Sequence, residues 1–268
     1  MARFAMVLLL LLCPAARAQV SSGGPRAAAM AGAAAAVSDD LYAEANPAAW
    51  AGMHAGALSL SATQLYGLRQ LRLAQALIVL PALGGTTAAA VSAFGYEDYR
   101  ETTASIGYAR ALQAGTVRRI GLGIRIRWYS VAIKGYGAAS VPSVSAGIIL
   151  PVMPAFSLGL AASNLYVLPL ELAQDVERSI HVGAAFRGTT RFLVAVDARK
   201  STTSPVDFLF GMELRPIPAI ALRAGFTTEP ARFSAGAGFR SEAILADVAV
   251  EKHVTLGWSP TIAVGIEW

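Results

Sequence analysis

The stretch Thr261-Ile262-Ala263-Val264-Gly265-Ile266-Glu267-Trp268 alternates along its whole length. Ile262, Val264, Ile266 and Trp268 fall on one face, and Thr261, Ala263, Gly265 and Glu267 on the other. Side chains along a strand repeat every two residues, so this is a strand with one apolar face. Aliphatic side chains toward lipid, ending on an aromatic at the interface, are how a membrane barrel presents its closing strand. Trp268 is therefore the expected barrel-closing terminus, with Ala55 to Ala62 as the first strand that it meets.

The same alternation recurs upstream. Ile120, Leu122, Ile124, Ile126 and Trp128 oppose Arg119, Gly121, Gly123, Arg125 and Arg127. Ile180, Val182, Ala184 and Phe186 oppose His181, Gly183 and Arg187, and Phe192, Val194 and Val196 oppose Arg191, Asp197 and Arg199. Phe208, Phe210, Met212 and Leu214 oppose Asp207, Glu213 and Arg215, while Phe233 to Phe239 oppose Arg232, Gly236, Gly238 and Arg240. Ile244 to Val250 oppose Asp247 and Glu251. Strands are expected near 54–63, 70–80, 86–96, 101–112, 118–131, 142–151, 155–163, 177–187, 190–199, 205–215, 218–227, 231–240, 242–251 and 258–268. Each is close to the roughly 9–11 residues that a tilted strand needs to cross a bilayer. A soluble sandwich also alternates, with its apolar face buried against a second sheet.

The connections supply a separate test. Those after even strands are tight, such as Pro81 to Gly85 and Gly188-Thr189; those after odd strands are mostly longer, such as Ala132 to Val141 and Asn164 to Val176. Barrels of the outer membrane have short periplasmic turns and longer outside loops, so this parity places both ends in the periplasm. Two uncharged stretches, Leu73 to Tyr96 and Gly135 to Leu170, exceed the length of a membrane helix and define the helical rival. Pro81, Gly84 and Gly85 interrupt the first, and Pro142, Pro151 and Pro154 cut the second into strand-length pieces.

Composition agrees with a membrane location. Of 268 residues, 55% are hydrophobic and 15% charged, and mean hydropathy is +0.51. Residues 1–18 form an expected signal peptide: Arg3, the apolar Met6 to Leu12, and Ala16-Arg17-Ala18 before Gln19. Lipidation of Cys13 is the rival, with Leu12 standing where a small residue is expected. Cys13 is the only cysteine, so removing the leader removes all thiol chemistry. Basic residues are spread singly, with no run longer than Arg118-Arg119, which argues against nucleic acid despite the pI of about 9.6.

Residues 19–53 differ from the strand region 54–268. Arg26 to Val37 is small and helix-favouring, Ser38-Asp39-Asp40 resembles a cap before Leu41 to Ala45, and Asn46-Pro47 breaks the chain. Such a segment, too small to span a membrane, is expected to pack inside something else. His54, His181 and His253 are far apart in sequence, with no metal-ligand spacing, and no nucleophile motif occurs, so neither enzyme nor cofactor is expected. The charged residues that alternate away from the apolar faces (Arg119, Arg125, Arg127, Arg187, Arg191, Glu213, Arg215, Arg232, Arg240, Asp247 and Glu267) are expected to face the lumen, as a salt-bridge network or a polar path. The inward glycines avoid crowding a narrow interior.

Gly24 to Ala33, then Val37-Ser38-Asp39-Asp40 and Asn46-Pro47-Ala48, resemble the start of the FadL-like outer-membrane proteins, especially the PorV/PorQ group. Leu158 to Leu165 and Leu222 to Phe226 resemble strand phrases of that group. The resemblance implies an all-β fold: a transmembrane antiparallel β-barrel of about 14 strands with a small N-terminal helical plug in the lumen. It carries the plug role to Gly24 through Trp50, including Arg26, Met30, Asp39, Asp40, Asn46 and Pro47. It implies passage of small hydrophobic or amphipathic solutes across the outer membrane, or an accessory role in secretion or surface attachment. The expected partners are outer-membrane lipid, the barrel-assembly machinery, and a small solute or a secretion partner. The long outside segment Tyr166 to Leu172 is a capture lip in the first case and a docking surface in the second.

Overall fold

A computed structural model describes residues 23–114, 118–167 and 176–268. The expected signal peptide, with Cys13, lies outside the described residues, as do 168–172 of the outside segment. Fourteen antiparallel strands form a closed barrel. They are β1 (Ala57–Gln64), β2 (Arg72–Ala82), β3 (Gly85–Gly95), β4 (Tyr99–Ala114), β5 (Arg118–Ile133), β6 (Gly137–Met153) and β7 (Phe156–Val167). The second half comprises β8 (Ser179–Thr189), β9 (Phe192–Ser201), β10 (Asp207–Ile217), β11 (Ile220–Thr228), β12 (Ala231–Arg240), β13 (Ile244–His253) and β14 (Gly257–Glu267).

All fourteen expected strands are present, and Leu73 to Tyr96 folds as β2 and β3 rather than as a helix. Among the described residues no helix is long and apolar enough to cross a membrane. Strands β5 and β6 run further than the sequence pattern suggests. Their ladder extends from Gly121–Ile149 to Ile133–Gly137, which shrinks the expected loop at 132–141 to residues 134–136. Ser140, Ala139 and Ala138 lack the bulk that periodicity detects, yet they complete backbone pairs as well as any residue.

The seam joins β1 to β14, from Ala57–Glu267 to Thr63–Thr261. Beyond it Trp268 and Gly56 exchange backbone hydrogen bonds at 3.0 and 3.1 Å. With an even strand count, β1 begins and β14 ends at the same rim, here called the terminal rim; the opposite one is the distal rim. Terminal-rim turns such as 83–84, 154–155 and 218–219 are tight, whereas Leu65 to Leu71 and 202–206 are longer distal connections.

The outward faces carry the aliphatic and aromatic rows. Leu60, Ile106, Ile124, Ile126, Val182, Phe233, Val264 and Trp258 are each about half exposed, far more apolar surface than water tolerates on a single chain. Hydrocarbon solvates such a belt and forbids unpaired backbone groups, and closure satisfies that condition.

The segment before β1 lies within the ring of strands. Helix α1 (Gly24–Ala29) packs against β11 to β14, and the 3-10 helix Pro47–Gly52 packs against β3 to β6. The helical stretch is shorter than composition suggests. Ala31 (φ 53°) and Gly32 (φ 82°) take left-handed conformations that end α1. Ala43 (φ 46°), within Leu41 to Ala45, likewise excludes the expected helix there, so Asp39-Asp40 caps no helix. Asn46 is the working cap: its Oδ1 accepts from the Ala48 N–H at 2.9 Å, and Pro47 opens the 3-10 helix.

Two gel lanes check the closed barrel. The unboiled protein is expected to migrate faster than the boiled one, and deletion of residues 262–268 is expected to abolish the fast band, because the seam loses most of its pairs.

Candidate functional site

The site is the contact between the N-terminal segment and the inner wall. Its steric basis is glycine. A Cβ at Gly123 would collide with Pro47 and Ala48, one at Gly159 with Ala35, and one at Gly225 with Met30 and Ala31. The inward glycines leave room for a second backbone rather than for water. Met30 then packs beside Leu209 and Ala195, while Trp50 packs beside Leu77, Val79 and Ile149.

Charge fixes the segment in two opposite senses. Arg26, on the segment, binds the wall's Glu213 through Nε at 3.0 Å; Arg223 and Arg215 hold the same carboxylate at 2.7 and 2.9 Å. Glu44, on the segment, accepts from the wall's Arg125 at 3.0 Å and from Arg127. Arg125 also donates to the carbonyls of Tyr42 (2.7 Å) and Ala43 (2.9 Å), and its guanidinium lies 4.3 Å from the Trp50 ring centre. Burial opposes the charge on Glu44, but Arg127 and Arg125 outweigh it and hold the carboxyl below its usual range. Asp39 is shared by Arg26 (3.1 Å) and Arg187 (3.3 Å).

Neutral backbone groups are also held. Asp197 Oδ2 accepts from the amides of Ala34 and Ala35, both at 2.8 Å. Asn46 Nδ2 donates to the Ala35 carbonyl at 2.7 Å and to the Ile148 carbonyl at 3.1 Å, joining two parts of the segment to β6. Asp40 is buried, with neither carboxylate oxygen hydrogen-bonded. Burial pushes its pKa up to about 6, against the pull of Arg26.

The structure thus brings Arg26, Met30, Asp39, Asn46, Pro47, Arg125, Arg127, Arg187, Glu213 and Arg215 into one contact. Asp247 joins through Arg223, and Arg232 pairs with Glu251 at 3.3 Å, away from the segment. Three expected lumen charges stand elsewhere. Arg191 is exposed in the β8–β9 turn, Arg119 is exposed near the start of β5, and Arg240 is half exposed and 3.7 Å from Glu267. Alternation assigns a face but not a height, and at the terminal rim the inward face already meets water. Tyr42, Glu44 and Trp50, within the expected plug range, and Arg223 on the wall complete the contact. Arg223 shares the inward parity of Ala221 and Gly225, which is the signal that marks it.

Two cavities flank the segment. One opens toward the terminal rim, between Arg26, Asp40, Arg215, Arg223 and Leu245. The other lies on the distal side, between Glu44, Gln75, Ser92, Thr103, Arg125 and Arg127. Tyr42 lines both and hydrogen-bonds Ser59 through its hydroxyl at 2.8 Å.

No protein-family model matches the sequence, and no curated protein is similar to it. Solved structures are similar in fold. The toluene transporter TbuX of Ralstonia pickettii superposes with a TM-score of 0.61 at 12% identity, over 93% of this chain and 98% of that one. A FadL homologue of Pseudomonas aeruginosa gives 0.62 at 12%, over 93% and 98%. The toluene transporter TodX of Pseudomonas putida gives 0.61 at 10%, over 93% and 97%. The chain therefore has the FadL-type fold, a closed 14-stranded barrel with a short N-terminal helix.

Two outcomes follow from the contact. Asp197→Ala orphans two buried amides, a loss of about 2 kcal/mol or more in docking of the segment. A cysteine placed at Ala34 is then expected to be labelled roughly thirtyfold faster than in the otherwise unchanged protein. Asp40 in the docked segment takes up a proton near pH 6, whereas in a released segment it does so near its ordinary value of 3.8. For Asp40 the docked form therefore binds more protons between those values and docking strengthens as pH falls from 7 to 5, below which Glu44, held under its usual range while docked, opposes the trend. Labelling at position 34, taken relative to the denatured protein at the same pH so that the thiol's own ionisation cancels, is expected to slow over that range, and Asp40→Asn to weaken the dependence.

Proposed function

We propose that this chain is an integral outer-membrane channel for small amphipathic solutes, with residues 19–53 as its lumen plug and its leader removed on export. The observation that carries this is the pair of cavities on either side of the plug, parted at Tyr42. A solute crossing from the distal to the terminal side has to displace that ring and its bond to Ser59. The named neighbours are transporters of toluene, an apolar ring. Here the distal cavity carries Arg125, Arg127 and Glu44 beside the Trp50 ring, which favours a solute with a polar end and an apolar body. No residue is assigned a catalytic role. In this reading the terminal strand is what the barrel-assembly machinery engages.

The accessory-factor alternative of the PorV/PorQ resemblance rests on the outside segment Tyr166 to Leu172, most of which lies outside the described residues.

The test is flux. Tyr42→Ala is expected to raise uptake of a small aromatic amine or alcohol into proteoliposomes by about tenfold, an effect of about 1.4 kcal/mol on the barrier. Tyr42→Phe, which loses only the bond to Ser59, is expected to fall between. Equal uptake for all three proteins, in barrels that keep the fast gel band, would sink the channel reading.

A further inference from the structure

Charge on the outer wall is distributed one way. Among the described residues, every carboxylate within a strand faces the lumen: Glu101, Asp197, Asp207, Glu213, Asp247, Glu251 and Glu267. Outward positions near the distal rim instead carry Arg72 on β2, Arg100 on β4, Lys200 on β9 and Lys252 on β13. All four are exposed, and none has a carboxylate partner among the described residues. At the terminal rim Arg110 is exposed on the outward face.

Three of these distal cations lie on one arc. The strands β13, β14, β1, β2, β3 and β4 are consecutive neighbours. At about 4.8 Å per strand the arc spans roughly 24 Å. The exposed Arg69, in the β1–β2 connection, adds a fourth cation to it. Directly below on the same strands lie Leu60, Ile106, Ile262 and Val264, all about half exposed. Lys252 sits 5.2 Å from the ring centre of Trp258, the aromatic at that end of β14. No strand of the arc carries an outward carboxylate among the described residues, and the two acids of its β3–β4 turn, Glu97 and Asp98, are each paired with Lys134 at 3.2 Å.

We propose that this arc is a binding surface for a phosphorylated glycolipid of the outer leaflet. Its phosphates would sit between Lys252, Arg69, Arg72 and Arg100, and its acyl chains on the apolar rows beneath. Both halves are needed for this fit. Basic side chains extended to the headgroup level attract phosphate, and the hydrocarbon below selects an amphiphile embedded in the leaflet over a soluble polyanion. The inference rests on the outer-membrane placement proposed above. It does not depend on whether the lumen conducts.

The experiment titrates purified full-length protein in neutral detergent with bis-phosphorylated lipid A, following binding by native mass spectrometry. R72Q/R100Q/K252Q is expected to bind about tenfold more weakly or worse. K200Q, on the far side of the barrel, is expected to stay within about twofold. Lipid A stripped of its phosphates should bind the unchanged protein as weakly as the triple variant binds the phosphorylated form. The fast gel band shows that each variant is folded, and the single variants R72Q and K252Q carry the comparison if the triple variant does not assemble. Equal binding by the triple variant, equal binding of stripped lipid, or displacement of the lipid by soluble polyphosphate would overturn the proposal. A protein without the fast band in any form would instead remove the membrane placement on which it rests.

Discussion

The β1–β14 seam is the constraint from which the rest follows. In hydrocarbon an unpaired amide or carbonyl costs several kcal/mol, so a sheet that faces lipid must have no edge. Ala57 to Thr63 meet Thr261 to Glu267 to remove that edge. Closure then creates an interior, and an interior must be filled or flooded. Here residues 24–52 occupy much of it. Glycine at 123, 159 and 225 is the consequence, because a second backbone lies where side chains would otherwise project.

What holds the segment differs from an ordinary core. Met30 and Trp50 seat it in two apolar clusters, and between them small residues such as Ala29, Ala35 and Ala36 leave its orientation to ion pairs and buried hydrogen bonds. Arg26 on Glu213 and Glu44 on Arg125 and Arg127 run in opposite directions, which fixes orientation as well as depth. Buried pairs contribute modest net stability while making any single loss costly. A segment held in this way docks specifically, yet water can take over its polar contacts when it leaves. Two cavities flank the segment and meet at Tyr42.

The strands were legible because lipid imposes a simple rule on them. Phe208, Phe210, Met212 and Leu214 must all face hydrocarbon, and a period of two is visible in any such run. Strand ends were less legible where small residues carry the ladder, as at Ala138 to Ser140. The charged inner face was legible in direction only. Arg125 and Arg191 obey the same alternation, yet one is clamped under the segment and the other stands in a turn. Asp40 reads as a cap from its sequence neighbours, whereas the structure buries its carboxyl beside a left-handed Asp39 with neither oxygen hydrogen-bonded.

The sequence by itself determined that this chain is a barrel of fourteen strands, which faces are wet or oily, and that its first fifty residues are of another kind. These properties are local: a strand's alternation depends on what surrounds the wall, not on which strand is opposite. Only the tertiary structure decided that Arg26 meets Glu213 across 187 residues, that Asp197 holds the amides of Ala34 and Ala35, and that Tyr42 stands between two cavities. Those contacts depend on barrel circumference, strand stagger and the path of an irregular segment. None of these has a period that a sequence can display.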